Sequence, residues 1–111
     1  MPFNFEEILI YIDKNYNKNI SLYIISDIYD LNYSYLSRIF IEKSGMNFVK
    51  YLNYKRINRA EFLLKYTNLK IYKISIFCGY YDVNYFIRIF KKYKSITPLE
   101  YRKKYKINQI I

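Results

Sequence analysis

Two hexapeptides fifty positions apart read almost alike: Tyr35-Leu36-Ser37-Arg38-Ile39-Phe40 and Tyr85-Phe86-Ile87-Arg88-Ile89-Phe90. In each copy a short apolar segment, Leu22 to Ile28 and then Ile71 to Cys78, precedes a turn, and a second segment rich in Tyr, Ser or Asn follows with Arg at the matched place. A chain that repeats this order builds the same small helical unit twice, and the order is that of a helix-turn-helix. Asp30-Leu31 closes the first turn and Gly79-Tyr80 the second, and from Ser26 and Ser75 to the paired tyrosines the second turn is one residue longer. Glycine takes the left-handed conformation that ends a helix without steric penalty, and Asp tolerates it better than most residues. Leu31 and Tyr80 are then placed to tuck an apolar group beneath the turn.

The rest of the chain reads as helix around these two motifs. Phe5, Ile8, Tyr11 and Ile12 make the apolar stripe of a first helix from about Phe5 to Asn15. Asn47 is an N-cap for a long segment to about Tyr66, in which Phe48, Leu52, Ala60, Leu63 and Leu64 recur at helical spacing without Gly or Pro. A helix of about 19 residues spans roughly 28 Å, enough to hold two recognition helices about one DNA turn apart, roughly 34 Å. Thr97-Pro98-Leu99-Glu100 is a capping box with Pro at the first helical position. No alternating run between tight hairpin turns competes with the helices. The expectation is an all-α fold of about seven helices: helix-turn-helix motifs over about 21–45 and 70–94, a linker helix over 47–66 and a terminal helix over 98–105. At 111 residues this fits one domain, residues 1–111, or two very small units.

Charge narrows the partner. Nineteen Lys and Arg stand against nine Asp and Glu, leaving +10 with no histidine. Residues 1–42 hold three basic and six acidic side chains, so the excess lies in the remainder, at +13. Such a surface neutralises phosphates and releases counterions, which gives an affinity that falls steeply with salt. Lys103, Lys104 and Lys106 read equally well as a solvated tail. Chemistry of other kinds finds little footing: there is no His, one Cys, no Gly-rich phosphate loop and no nucleophile elbow. Glu6 and Glu7 suit the dipole at a helix N-terminus, and Cys78 reads as a small buried hydrophobe. No cofactor or metal is implied. No apolar run reaches membrane-span length and no signal peptide is recognisable, which points to the cytoplasm. The 16 tyrosines are read mainly as core and as compositional bias rather than as a stacking platform.

With these residues in place, the chain from about Ile8 to Lys104 resembles the DNA-binding domain of the AraC/XylS family of bacterial transcription regulators. The resemblance is carried by Tyr35 to Phe40 with Gly45, by Tyr51-Leu52, Arg56-Ile57, Ala60 and Leu63-Leu64, and by Ile74 through Gly79-Tyr80. It continues through Asp82, Tyr85-Phe86, Arg88, Phe90-Lys91-Lys92 and Thr97-Pro98 to Tyr101-Arg102. It implies a double helix-turn-helix along one face of double-stranded promoter DNA, with recognition helices near Ser34 to Lys43 and Val83 to Tyr93, and activation through contact with RNA polymerase. By motif position the base-reading candidates are Ser34, Ser37 and Arg38 in the first copy and Val83, Asn84, Ile87 and Arg88 in the second. Ser21, Tyr33, Tyr81, Lys91 and Lys92 are candidates for phosphate contact.

The physics of these assignments differs. Arg38 or Arg88 can grip guanine O6 and N7 bidentately, worth about 1 to 3 kcal/mol of discrimination; Asn84 suits adenine; Ile87 can only pack, as on a thymine methyl. A phosphate contact, or an ion pair such as Arg38 with Glu42, is the alternative for each Arg. Leu36, Ile39, Phe40 and Phe90 are assigned to the core.

Four departures from the family pattern carry expectations. Ser26 and Ser75 replace the usual alanines and should still pack closely. Ser95 replaces the usual glycine before Thr97-Pro98, so the last turn is expected to differ in shape. Ile87 replaces a usually polar residue. Asp27 and Asp30 make the first motif less attractive to phosphate, so the second is expected to supply more of the electrostatic affinity. Family members usually carry a preceding sensor or dimerisation domain, and the sequence is compatible with a stand-alone regulator or an excised C-terminal domain. A helical protein-interaction module and a sequence-independent DNA-binding protein are the rival readings.

Overall fold

The computed structural model describes residues 4–107, which form seven helices and no strand. They are α1 (Phe5–Asn15), α2 (Leu22–Ile28), α3 (Tyr33–Ser44), α4 (Phe48–Tyr66), α5 (Ile71–Phe77), α6 (Val83–Lys94) and α7 (Pro98–Tyr105). The all-α expectation holds. No helix among the described residues is long and apolar enough to cross a membrane. The chain divides into two compact units, residues 1–55 and 56–111, and the division falls within α4.

In the first unit α1 turns Ile8 and Ile12 inward and α2 contributes Leu22 and Ile25. From α3 come Leu36 and Phe40, and from the start of α4 Phe48 and Leu52. Phe40 is the hub, with the rings of Phe5, Phe48 and Tyr51 at 5.4, 5.8 and 5.3 Å in edge-on contact. Asn47 caps α4 as expected, its Oδ1 accepting from the Lys50 amide at 2.9 Å.

The second unit repeats the plan. Ile57, Ala60, Leu63 and Leu64 of α4 meet Ile74 and Cys78, then Phe86 and Phe90 of α6 and Tyr101 of α7. Phe90 takes the hub, 5.9 Å from Phe86 and 5.3 Å from Tyr101. The Tyr101 hydroxyl donates to Glu61 Oε2 at 2.7 Å, and Lys94 pairs with Glu61 Oε1 at 2.8 Å. Arg102 reaches back to the end of α4, donating to the carbonyls of Leu63, Leu64, Thr67 and Leu69 at 3.5, 3.2, 3.1 and 2.6 Å. Leu63 also accepts from the Thr67 amide, and Thr67 and Leu69 lie just past the helix, so Arg102 ties down both the last turn of α4 and the segment that follows it.

The turns explain why the repeat tolerates different residues. Leu31 N–H donates to the Ser26 carbonyl at 2.8 Å and Asp30 N–H to Asp27 at 3.3 Å; Tyr80 N–H donates to Ser75 at 2.9 Å and Gly79 N–H to Ile76 at 3.0 Å. Both are Schellman motifs, which need a left-handed residue after the cap. Asp30 supplies it with φ 53° and Gly79 with φ 98°. Ser26 and Ser75 pack closely as expected, and their hydroxyls donate to the Tyr23 and Tyr80 carbonyls at 2.7 and 2.6 Å, so neither is buried without a partner. Ser95 is a correction: the turn after α6 is not reshaped. Ser95 adopts φ 72° beside 81° for Gly45 after α3, and both amides donate to the carbonyl four residues back at 2.8 Å. The backbone bond fixes the geometry, and serine accepts the strain that glycine would avoid.

Candidate nucleic-acid interface

The second helix of each motif, α3 or α6, is started by a side chain that leaves its outward face open. Asn32 Oδ1 accepts from the Tyr35 amide at 2.9 Å, and Asp82 Oδ1 accepts from Asn84 and Tyr85 at 2.9 and 3.3 Å. Helical spacing then turns Leu36 and Phe40, or Phe86 and Phe90, into the core. Ser34 and Arg38 of α3 are exposed and Ser37 is half-buried; Asn84 and Arg88 of α6 are exposed, while Val83 and Ile87 are half-buried. The structure therefore brings the base-reading candidates of each motif onto one helix: Ser34, Arg38, Asn84 and Arg88 point away from that helix's core residues, whereas Ser37, Val83 and Ile87 flank its buried face, Ile87 packing in part against the second core. The Arg88 guanidinium lies over the Tyr85 ring at 5.8 Å, which steadies a long side chain at the surface. No ion pair joins Arg38 to Glu42 among the described residues.

The phosphate candidates divide. Lys91 and Lys92 are exposed in the last turn of α6, and Tyr81 is 70% exposed in the turn before it. Lys94, by contrast, is committed to Glu61. Tyr33 stacks flat on Tyr23, ring centres 3.9 Å apart and planes within 6°. Ser21 is half-buried and its oxygen accepts from the Ile24 amide at 3.2 Å as the N-cap of α2, so only its hydroxyl proton remains to meet a phosphate.

Beside each recognition helix lies a groove at a matched place of the repeat. In the first unit Ser21, Tyr23, Tyr33, Ser37, Asn47 and Val49 line a space of about 400 Å³. In the second, Tyr72, Val83, Ile87, Thr97, Pro98 and Leu99 line one of about 430 Å³. The Thr97 hydroxyl there accepts from the Glu100 amide at 3.2 Å while Glu100 Oε1 accepts from the Thr97 amide at 2.9 Å, completing the capping box. Hydrogen bonding from the Thr97 amide and then from its hydroxyl holds the Glu100 carboxyl below its ordinary range. The places of Tyr23, Tyr72 and Leu99 beside α3 and α6 are not legible in the sequence, because they depend on folding rather than on the repeated hexapeptide.

Arg56 is also a finding of the structure. This half-buried side chain lies over the ring of Tyr80, 5.1 Å from its centroid, in the turn that leads to α6. Burial lowers the pKa of Arg56, while the neighbouring Tyr80 opposes that shift. Cys78 is wholly buried, and desolvation pushes its thiol up to about 12, the opposite of what a nucleophile requires.

Comparison with known proteins agrees with this arrangement. A family model described as a helix-turn-helix domain matches residues 25–104. The chain is 36% identical over 101 residues to the uncharacterized HTH-type transcriptional regulator YijO of Escherichia coli K12, covering 91% of this chain and 36% of YijO. It is 40% identical over 77 residues to the HTH-type transcriptional activator RhaR of Mannheimia succiniciproducens, covering 69% of this chain and 28% of RhaR. The chain thus spans about a third of the length of such curated relatives. Among solved structures, the C-terminal domain of the two-component response regulator YesN from Fusobacterium nucleatum superposes with a TM-score of 0.85 at 43% identity, covering 87% of this chain and 95% of that one. The chain belongs to the AraC-type family of helix-turn-helix transcription regulators.

Proposed function

We propose that this chain binds double-stranded promoter DNA sequence-specifically and regulates transcription as an activator, presenting α3 and α6 to successive segments of the major groove. The observation that carries the reading is the matched register of the two helices: Ser34 and Arg38, and Asn84 and Arg88, are exposed on helices whose other faces are anchored by Leu36 and Phe40 or by Phe86 and Phe90. The backbone that carries these side chains is thereby held in place before DNA arrives, so that only the side chains themselves have to be ordered against base edges. Lys91, Lys92 and Tyr81 add contacts to the phosphate backbone, which set register and not sequence. Activation is supported by the name of RhaR as a transcriptional activator, and RNA polymerase is the proposed partner in it. The proposed setting is the bacterial cytoplasm.

Fluorescence anisotropy with an AT-rich promoter fragment and a scrambled duplex, across a salt series, tests this reading with the wild type and the Arg38→Ala/Arg88→Ala double variant. Preference for the promoter fragment that disappears in the double variant is the expected result. Equal binding to both duplexes with a steep salt slope would reduce the function to phosphate attraction. Absence of binding would favour a protein-interaction module.

A further inference from the structure

The two matched grooves differ in chemistry. In the first unit the groove beside α3 has apolar lining from Leu22, Phe48, Val49 and Leu52 but also carries the hydroxyls of Ser21, Tyr33 and Ser37 and the amide of Asn47. In the second, Ile71, Val83, Ile87, Pro98 and Leu99 present hydrocarbon beside Tyr72, and the Thr97 hydroxyl is engaged with the Glu100 amide. Tyr72 and Leu99 are about half exposed, at 48% and 52%. Val83 and Ile87 stand one helical turn apart at the edge of the buried face of α6, Ile87 packing in part against the core, and what remains of each side chain lines the groove. Asn84 and Arg88 follow them directly in sequence and are exposed. α6 therefore presents an apolar strip along the groove, with two hydrogen-bonding side chains beside it on its outward face.

What fits such a strip must be polyanionic overall and apolar locally. The first condition comes from the unit itself, which carries thirteen basic and three acidic residues over 56–111. The second comes from the groove. On the major-groove edges of duplex DNA, the C5-methyl of thymine is the one apolar group; guanine and cytosine offer acceptors or an amino group. Pressed against Val83 and Ile87, those polar groups would lose water without gaining a partner.

Resting on the DNA-binding reading above, we propose that Val83 and Ile87, walled by Tyr72 and Leu99, form a reader of thymine methyl groups. The DNA segment facing α6 is then selected for thymine, with Asn84 placed to pair with adenine, whereas the segment facing α3 is read through the hydrogen bonds of Ser34, Ser37 and Arg38.

The test begins with a pool of duplexes carrying a randomised core, from which the whole chain recovers a consensus. The same selection is run with Ile87→Ser, Val83→Ser and, for the first motif, Ser37→Ala. Each thymine of the wild-type consensus is then replaced by deoxyuridine, which removes the methyl and leaves the pairing edge intact. Wild type should lose about fourfold in affinity for each methyl that α6 buries, at positions that Ile87→Ser alters and Ser37→Ala does not, and Ile87→Ser should bind the two duplexes alike. The deoxyuridine series on wild type needs no variant, so it decides the matter even where Ile87→Ser does not fold. Equal affinity for thymine and deoxyuridine throughout the consensus, or a G·C segment at the Ile87-sensitive positions, overturns the proposal and leaves sequence-specific binding intact. An unchanged consensus and affinity in both Val83→Ser and Ile87→Ser also overturns it and assigns the groove to a protein partner. A pool that yields no consensus overturns both this proposal and the reading on which it rests.

Discussion

The unit over residues 1–55 carries six basic and six acidic side chains, whereas the unit over 56–111 carries thirteen and three. Yet their turns are closed by the same pair of backbone hydrogen bonds and their cores by a phenylalanine at the same place, Phe40 and Phe90. Scaffold and surface have diverged independently. Bonds between main-chain atoms do not ask which side chains are attached, so the helix-turn-helix persists while charge and groove chemistry change around it. The balanced first unit has less to offer phosphate, and the basic second unit has Lys91 and Lys92 exposed on its recognition helix.

The largest test of this equivalence is in the cores. Phe40→Ala and Phe90→Ala should each cost about 3 to 5 kcal/mol, read from urea unfolding, with amide exchange quickening first in the unit that carries the substitution. A cost confined to one of the two would break the structural half of the comparison. The left-handed positions come next: Gly79→Ala should destabilise by about 1 to 2 kcal/mol, because φ 98° suits no side chain, while Ser95→Gly should stabilise by up to about 1 kcal/mol. A neutral Ser95→Gly would mean that the turn after α6 carries no strain.

The electrostatic half is sharpened by Lys91→Gln/Lys92→Gln, which should lower the slope of log affinity against log salt by about 2 with little effect on which sequences are preferred. Neutralising Lys43 of α3 and Lys50 of α4 in the first unit should lower the slope less. If the pairs behaved alike, or if Arg38→Ala and Arg88→Ala weakened binding equally with the Lys91/Lys92 change harmless, the asymmetry would be wrong. The smallest effect concerns pH. The Glu100 carboxyl is held below its ordinary value by the Thr97 amide and hydroxyl, so the capping box stabilises above that ordinary value and its contribution fades as pH falls through the lowered one. Wild type should melt slightly above Glu100→Gln at neutral pH, and the gap should close in acid.

Helices were legible in the sequence because their signals are local. Thr97-Pro98-Leu99-Glu100 announces its own start, and Ile8 with Ile12 or Leu36 with Phe40 announces a buried face. The burial pattern of α4 was only partly legible. Phe48 and Leu52 serve one core and Ile57, Ala60, Leu63 and Leu64 the other, so the spacing breaks between Leu52 and Ile57, and Ile57, 2% exposed, does not fall on a single stripe. Of the interface candidates, Asn84 and Arg88 follow from the repeated register. Neither the apolar wall beside Ile87 nor the placing of Arg56 over Tyr80 could be read there, since each joins residues distant in sequence. The Ser95 turn departs from the shape its residue type suggests because a backbone bond, and not the preference of the residue, decides it.

Arg102 grips four main-chain oxygens at the end of α4 and no side chain there. Such a latch takes hold of main chain alone: a change of side chain at the gripped positions removes none of its acceptors, while Arg102 itself has no substitute among the other nineteen amino acids that offers a forked, permanently charged donor. Tolerance to change in that segment is thus gathered into intolerance at a single distant position.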